Sequence, residues 1–294
     1  MDVLFKGVAT AMITPFNENG INYPEYDKLI DRQIDAGIEA LVVIGTTGEP
    51  STMSEDERRE IIKHAVAYAN GRCKIIAGTG ANDTKKAVEL SIYAESVGAD
   101  AVLCVTPYYN KCTKNGIVKY FQTICGAIKI PVFAYNVPPR TGVNITPEVV
   151  RELIKIPNLC GLKEASNDFV QIAETAFVMD GKKPLYCGDD ETILPFLSLG
   201  AMGTISVLSN VAPKETKAMH DMFFSGDIQG AYRMYRKLYP LANALFIEVN
   251  PIPCKSAMAL LGFDTRLVRE PLTPMEQAHE DKLKQVMQEF GILK

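Results

Sequence analysis

The octapeptide VGADAVLC (97–104) decides the fold: a glycine closes a helix, a short turn follows, and a run of apolar, β-favouring residues begins. The same layout returns in AGIEALVV (36–43) and LGAMGTIS (199–206). Gly37, Gly98 and Gly200 therefore read as left-handed helix ends, a backbone state that costs a glycine little because it has no Cβ. Working outward, eight strand-length apolar runs recur: GVATAMIT (7–14), ALVVIG (40–45), CKIIAG (73–78), AVLCVT (101–106), PVFAYN (131–136), NLCGLKE (158–164), PLYCG (184–188) and GTISVL (203–208). Each is followed by a longer segment of helical period. Continuous rather than alternating apolar character means burial on both faces, hence a parallel sheet with helices outside. Helix starts are marked by Ser54 to Glu57, a capping box, by Thr146 before Pro147, and by Thr273 to Glu276, a second capping box.

Eight αβ units close naturally into a (β/α)₈ TIM barrel. An open doubly wound sheet would instead carry a nucleotide motif after the first strand, where this chain has ITPFNENG. The expected organisation is a catalytic barrel over residues 1–210 and a C-terminal helical extension over 211–294.

Composition narrows the function. The 294 residues are 47% hydrophobic and 22% charged, with a net charge of −4, so disorder and a nucleic-acid footprint are both disfavoured. No apolar stretch approaches the roughly 20 residues that span a bilayer. The opening MDVLFKGVAT lacks the pattern of a signal peptide, so a soluble cytoplasmic protein is expected. The seven cysteines show no CxxC spacing and the three histidines, His64, His220 and His279, sit apart in helical segments. Free thiols are expected, and a His-rich metal site or a Ser-His-Asp arrangement is not.

A barrel of this kind builds its active site from the C-terminal ends of its strands. Among those ends, Lys163 stands out as the only lysine near the C-terminal end of an apolar strand run. Desolvation lowers an ammonium's pKa and frees the amine to attack a carbonyl carbon. The structural alternative is an ion pair with Glu49 or Glu164. Tyr135, on the preceding strand, is placed to move protons near that amine, with Thr46 and Tyr109 as relay hydroxyls. The Gly45 to Gly48 turn presents backbone amides suited to a carboxylate. Asp189, Asp190 and Glu191 either hold Mg²⁺ or cap the following helix, whose dipole favours acidic residues there.

The motifs GTTGEPSTMS (45–54), VTPYYNK (105–111), YNVPPRTG (135–142), GLKEAS (161–166), GDD (188–190) and NPIPCK (250–255) resemble, in order and spacing, the class I pyruvate aldolases of the N-acetylneuraminate lyase family. The paired Thr46-Thr47, and Arg140 before Thr141-Gly142, are most similar to its dihydrodipicolinate synthase branch. The alternative within the family is a 2-keto-3-deoxygluconate aldolase or neuraminate lyase type. The resemblance implies a lyase of lysine (diaminopimelate) biosynthesis that uses no cofactor or metal and joins pyruvate to L-aspartate 4-semialdehyde. In it Lys163 forms the Schiff base and Tyr135 is the general acid/base, linked through Thr46 to Tyr109 from a neighbouring subunit. Thr46 and Thr47 hold the pyruvate carboxylate, Arg140 grips the second substrate's carboxylate, and Gly188 and the Ile205 backbone line the pocket. A homotetramer assembled as a dimer of dimers is also implied. Lysine-inhibited members carry His where this chain has Glu55 and Arg58, and Glu where it has Lys86, so lysine feedback is expected to be weak or absent.

Overall fold

The computed structural model describes residues 3–294. All eight runs form strands: β1 (Gly7–Ala11), β2 (Ala40–Val43), β3 (Lys74–Gly78), β4 (Ala101–Val105), β5 (Val132–Asn136), β6 (Leu159–Glu164), β7 (Leu185–Cys187) and β8 (Gly203–Ser206). Neighbours pair in parallel in chain order, and β1 bonds to both β2 and β8, closing the barrel. A small antiparallel hairpin, Phe16–Asn17 with Gly20–Ile21, follows β1.

The outer layer is α1 (Tyr23–Asp35), α2 (Glu55–Ala69), α3 (Thr84–Ser96), α4 (Lys114–Ala127), α5 (Pro147–Leu153), α6 (Phe169–Met179), α7 (Ile193–Ser198) and α8 (Pro213–Phe224). The division expected at 210/211 falls within a short helical turn, Leu208–Val211, that precedes this eighth outer helix. Beyond it lie α9 (Ile228–Ala244), α10 (Ile252–Leu260) and α11 (Gln277–Phe290). No helix among the described residues is long and apolar enough to cross a membrane.

The expected boundary signals mostly operate. Gly37, Gly98 and Gly200 have φ of 77°, 91° and 88°. Ser54 and Glu57 form a reciprocal capping box at α2. Pro147 opens α5, but the Thr146 side chain makes no cap bond. The expected box at Thr273 does not form. The last helix starts later, with Glu276 at its N-cap, because the Glu276 amide is bound by the Glu248 carboxylate at 3.0 Å, a partner from outside the segment.

Continuous apolar strands divide their burial by parity, since successive side chains point to opposite faces. Leu41, Val43, Val102, Cys104, Ala134 and Leu162 pack outward under the helices. Ala9, Val42, Leu103, Phe133, Tyr135, Tyr186 and Ile205 pack inside the barrel. Phe5 stacks on Tyr186 at 4.5 Å and accepts the tyrosine hydroxyl's hydrogen bond on its carbonyl, filling the interior. The other end of the interior is left for chemistry.

Candidate active site

A cavity of about 270 Å³ opens at the C-terminal ends of the strands. Thr46, Thr47, Tyr135, Arg140, Lys163 and Gly188 all line it. Lys163 is buried, and it reaches the interior because Leu162 before it points outward. Its register partner on β5 is Tyr135 and on β7 is Tyr186. Nζ lies 4.3 Å from the centroid of the Tyr135 ring. Among the described residues it makes no ion pair.

The structural alternative for Lys163 is thereby overturned, because both candidate carboxylates are committed elsewhere. Glu49 pairs with Lys255 at 2.7 Å. Glu164 faces away from the interior, accepting from Asn136 Nδ2 at 2.9 and 3.1 Å and from the Ser166 amide at 2.6 Å. Burial raises the Glu164 pKa, and these bonds oppose the rise.

Gly188 is explained by Lys163. A Cβ placed there would lie 3.0 Å from Lys163 Cε, 2.9 Å from Ala165 Cβ and 2.9 Å from the Glu164 carbonyl oxygen. Any larger residue would push on the lysine stem or the backbone beside it. The Ile205 side chain is buried within the barrel interior.

The Gly45 to Gly48 turn is tight. Ile44 and Glu49 take left-handed backbones, φ 49° and 58°, on either side of a 3₁₀ turn at Thr46–Gly48. Non-glycine residues reach this region only when the surroundings enforce it, and such positions cluster at functional sites. The first amides of the turn have no intrahelical carbonyl to bind. Thr14 Oγ1 donates to the Gly48 carbonyl at 2.9 Å, anchoring the turn from below.

Asn250 was not singled out from sequence, although NPIPCK was noted as a motif. It is buried at the cavity wall, donates from Nδ2 to Thr47 Oγ1 at 3.0 Å, and accepts on its carbonyl from Arg140 Nη2 at 3.2 Å. One residue of the extension thus touches both proposed carboxylate-binding groups. Only the closure of the extension over the barrel mouth, which also brings Phe246 to the cavity, makes this visible.

Tyr109 is not brought to the site within this chain. It is 89% exposed, with φ of 70°. No hydrogen bond joins Tyr135 to Thr46 among the described residues.

Of the acidic cluster, Asp189 takes the helix-capping role. Asp189 accepts from the Glu191 amide at the start of a 3₁₀ turn leading into α7. Asp190 is buried and accepts from the Val207 and Leu208 amides, both at 2.8 Å. Glu191 accepts from Asn243 Nδ2 at 2.6 Å. The three carboxylates therefore point to different partners. Burial, then the neighbouring Asp190 charge, push Asp189 up to about 6. All seven cysteines are free.

The Dihydrodipicolinate synthetase family model matches residues 4–290. The chain is 46% identical over 292 residues to a 4-hydroxy-tetrahydrodipicolinate synthase of Thermoanaerobacter sp. (strain X514), covering 99% of this chain and 98% of that relative. Among solved structures it is similar to a dihydrodipicolinate synthase from Thermotoga maritima, with a TM-score of 0.96 and 38% identity over 99% of this chain and 100% of the other. It is also similar to a structure described as the first monomeric dihydrodipicolinate synthase variant, with a TM-score of 0.97 and 38% identity over 99% and 98% of the two chains.

Proposed function

The chain belongs to the dihydrodipicolinate synthetase family, and on that premise we propose that it catalyses the 4-hydroxy-tetrahydrodipicolinate synthase reaction, condensing pyruvate with L-aspartate 4-semialdehyde in lysine (diaminopimelate) biosynthesis. The observation that carries this reading is Lys163, a buried amine without a carboxylate partner among the described residues, held against Tyr135 in a cavity at the strand ends.

The amine of Lys163 adds to the C2 carbonyl of pyruvate, and loss of water gives the imine. Loss of a C3 proton gives an enamine, whose C3 attacks the aldehyde carbon of the second substrate and forms the new C–C bond. The second substrate's own amine then displaces Lys163 from the imine carbon, closing the ring and restoring the free lysine. Tyr135 moves the protons for addition and dehydration. Preorganised groups near a developing charge act strongly in a water-poor site. The amides of Thr46 and Thr47 and the Thr47 hydroxyl bind the pyruvate carboxylate, while the Arg140 fork binds the carboxylate of the aldehyde substrate.

A dimer of dimers fits two exposed features. Tyr109 stands clear of its own cavity, as a residue serving a neighbouring one must. Phe169, Val170 and Phe177 on α6 are also exposed apolar side chains. Exposed apolar patches mark association surfaces. A biosynthetic enzyme of this class acts in the cytoplasm.

Borohydride added with pyruvate should leave a stable mass increment on Lys163, located by peptide mapping. A fully active preparation that traps no adduct at Lys163 would remove the mechanism. A coupled assay comparing aspartate semialdehyde, N-acetylmannosamine and glyceraldehyde as partners for pyruvate separates this activity from those of the other aldolases in the wider superfamily.

A further inference from the structure

Lys255 and Glu49 form a buried ion pair in which neither side chain touches the cavity. Lys255, on α10, is fully buried, and its Nζ donates to Glu49 Oε1 at 2.7 Å. The other carboxylate oxygen accepts from the Arg269 amide at 3.1 Å. Both partners come from the C-terminal extension, whereas Glu49 ends the Thr46–Gly48 turn and itself sits in the left-handed region. The Arg269 side chain continues the clamp, donating from Nη1 to the Thr52 carbonyl at 3.1 Å and to Glu57 Oε2 at 2.9 Å. The ring of Phe16 faces both cations, 4.5 Å from Lys255 Nζ and 4.2 Å from the Arg269 guanidinium. The chain from Gly45 to Thr52 is thus gripped by residues 255–269.

Such a pair is a poor source of stability. Taking both charges out of water costs about as much as their attraction returns, and apolar residues of similar volume often do as well or better. Its geometric effect is specific. Two directional bonds hold the carboxylate of a residue whose backbone closes the Thr46–Thr47 turn. Asn250, five residues before Lys255, holds the same turn through the Thr47 hydroxyl.

We propose that Glu49 and Lys255 are positioning residues that set the Thr46–Thr47 turn for the keto-acid carboxylate, so that this buried pair governs capture of pyruvate without touching it. This rests on the reaction assigned above. Loss of the pair raises the pyruvate KM and the pyruvate concentration that half-saturates borohydride trapping. It leaves the aldehyde KM nearly unchanged, while kcat falls only as far as Thr46 is displaced from its relay with Tyr135.

The test uses the full-length enzyme as two variants, Glu49→Gln and the double replacement Glu49→Leu with Lys255→Met. The double variant leaves no unpaired buried charge. The single variant keeps an acceptor for the Arg269 amide, and remains informative if the other does not fold. In variants with wild-type circular dichroism, the pyruvate KM and the trapping midpoint should rise about tenfold or more, the scale on which small misplacements of binding groups are felt. Restoring the pair as Glu49 with Lys255→Arg should recover part of the loss. An unchanged trapping midpoint in a folded variant overturns the proposal. So does a parallel fall in kcat and in affinity for both substrates, which marks a general disturbance. If the wild-type enzyme itself gives no trapped adduct at Lys163, the assigned reaction fails; if it traps normally and only the variants fail to shift, the positioning role alone fails.

Discussion

Tyr135 and Lys163 are register partners on adjacent parallel strands, and the lysine Nζ rests 4.3 Å from the centre of the tyrosine ring. Backbone pairing, rather than a flexible loop, therefore sets the distance between the proposed nucleophile and its proton donor. Sites built on strands hold geometry better than sites built on loops.

Tyr135→Phe keeps the ring against Lys163 and removes only the hydroxyl. General acid–base contributions of this type are worth roughly 10²- to 10⁴-fold, so kcat should fall by that order while slow imine formation persists. The check is single-turnover trapping alongside steady-state rates. A variant with unaltered kcat would clear Tyr135 of the role.

Arg140→Met should act on the second substrate. Arg140 is held by the Asn250 carbonyl at the cavity wall, and a hydrogen-bonded charge contact is worth roughly 10- to 100-fold in affinity. Initial rates across both substrate concentrations should show the aldehyde KM rising and the pyruvate KM holding. The reverse pattern would reassign Arg140 to pyruvate.

Tyr109→Phe should lower the rate at every protein concentration without abolishing the borohydride adduct. Because Tyr109 is exposed in its own chain, specific activity of the wild type should also fall on dilution below the dissociation range, tracked by sedimentation. Full activity in a sedimenting monomer contradicts a role across subunits.

L-lysine should leave the initial rate essentially unchanged. Lys86 Nζ lies 3.4 Å from Glu55 Oε1 on the flank of the barrel, so the carboxylate nearest an incoming ammonium already has a cation, and Lys86 adds a like charge. Strong inhibition at submillimolar lysine in a steady-state assay would refute the argument.

His220 is buried on α8, where burial pulls its pKa down to about 4 from the ordinary 6.5. Nδ1 donates to the Thr216 carbonyl at 2.9 Å, and Nε2 has no partner among the described residues. Between these two pH values the unfolded chain binds the proton and the folded chain does not. The stability contributed by neutral His220 is thus whole above pH 6.5 and is lost as pH falls toward 4, by roughly 3 kcal/mol at most. His220→Asn keeps a donor for Thr216 and cannot titrate. The difference in urea midpoint between wild type and variant should shrink or reverse across this window; Asp189, common to both proteins, cancels. A pH-independent difference would show that His220 is not the titrating group.

The order of strands and helices was legible in the sequence because its signals are local. Glycine at 37, 98 and 200 can end a helix without reference to distant residues, and an apolar run reports burial on both faces by itself. The position of Lys163 at a strand end followed from the same pattern. Tertiary structure decided what each side chain meets. Glu49 pairs with Lys255, 206 residues away, and not with Lys163. Asn250 enters the cavity only because the extension folds over the barrel mouth. The Asp190 carboxylate turns to the amides of Val207 and Leu208 just after β8, and the expected cap at Thr273 loses to a carboxylate from Glu248. Hydrogen bonds and ion pairs are short-range and directional, so their partners are chosen by barrel closure and the packing of remote segments, which no local pattern encodes.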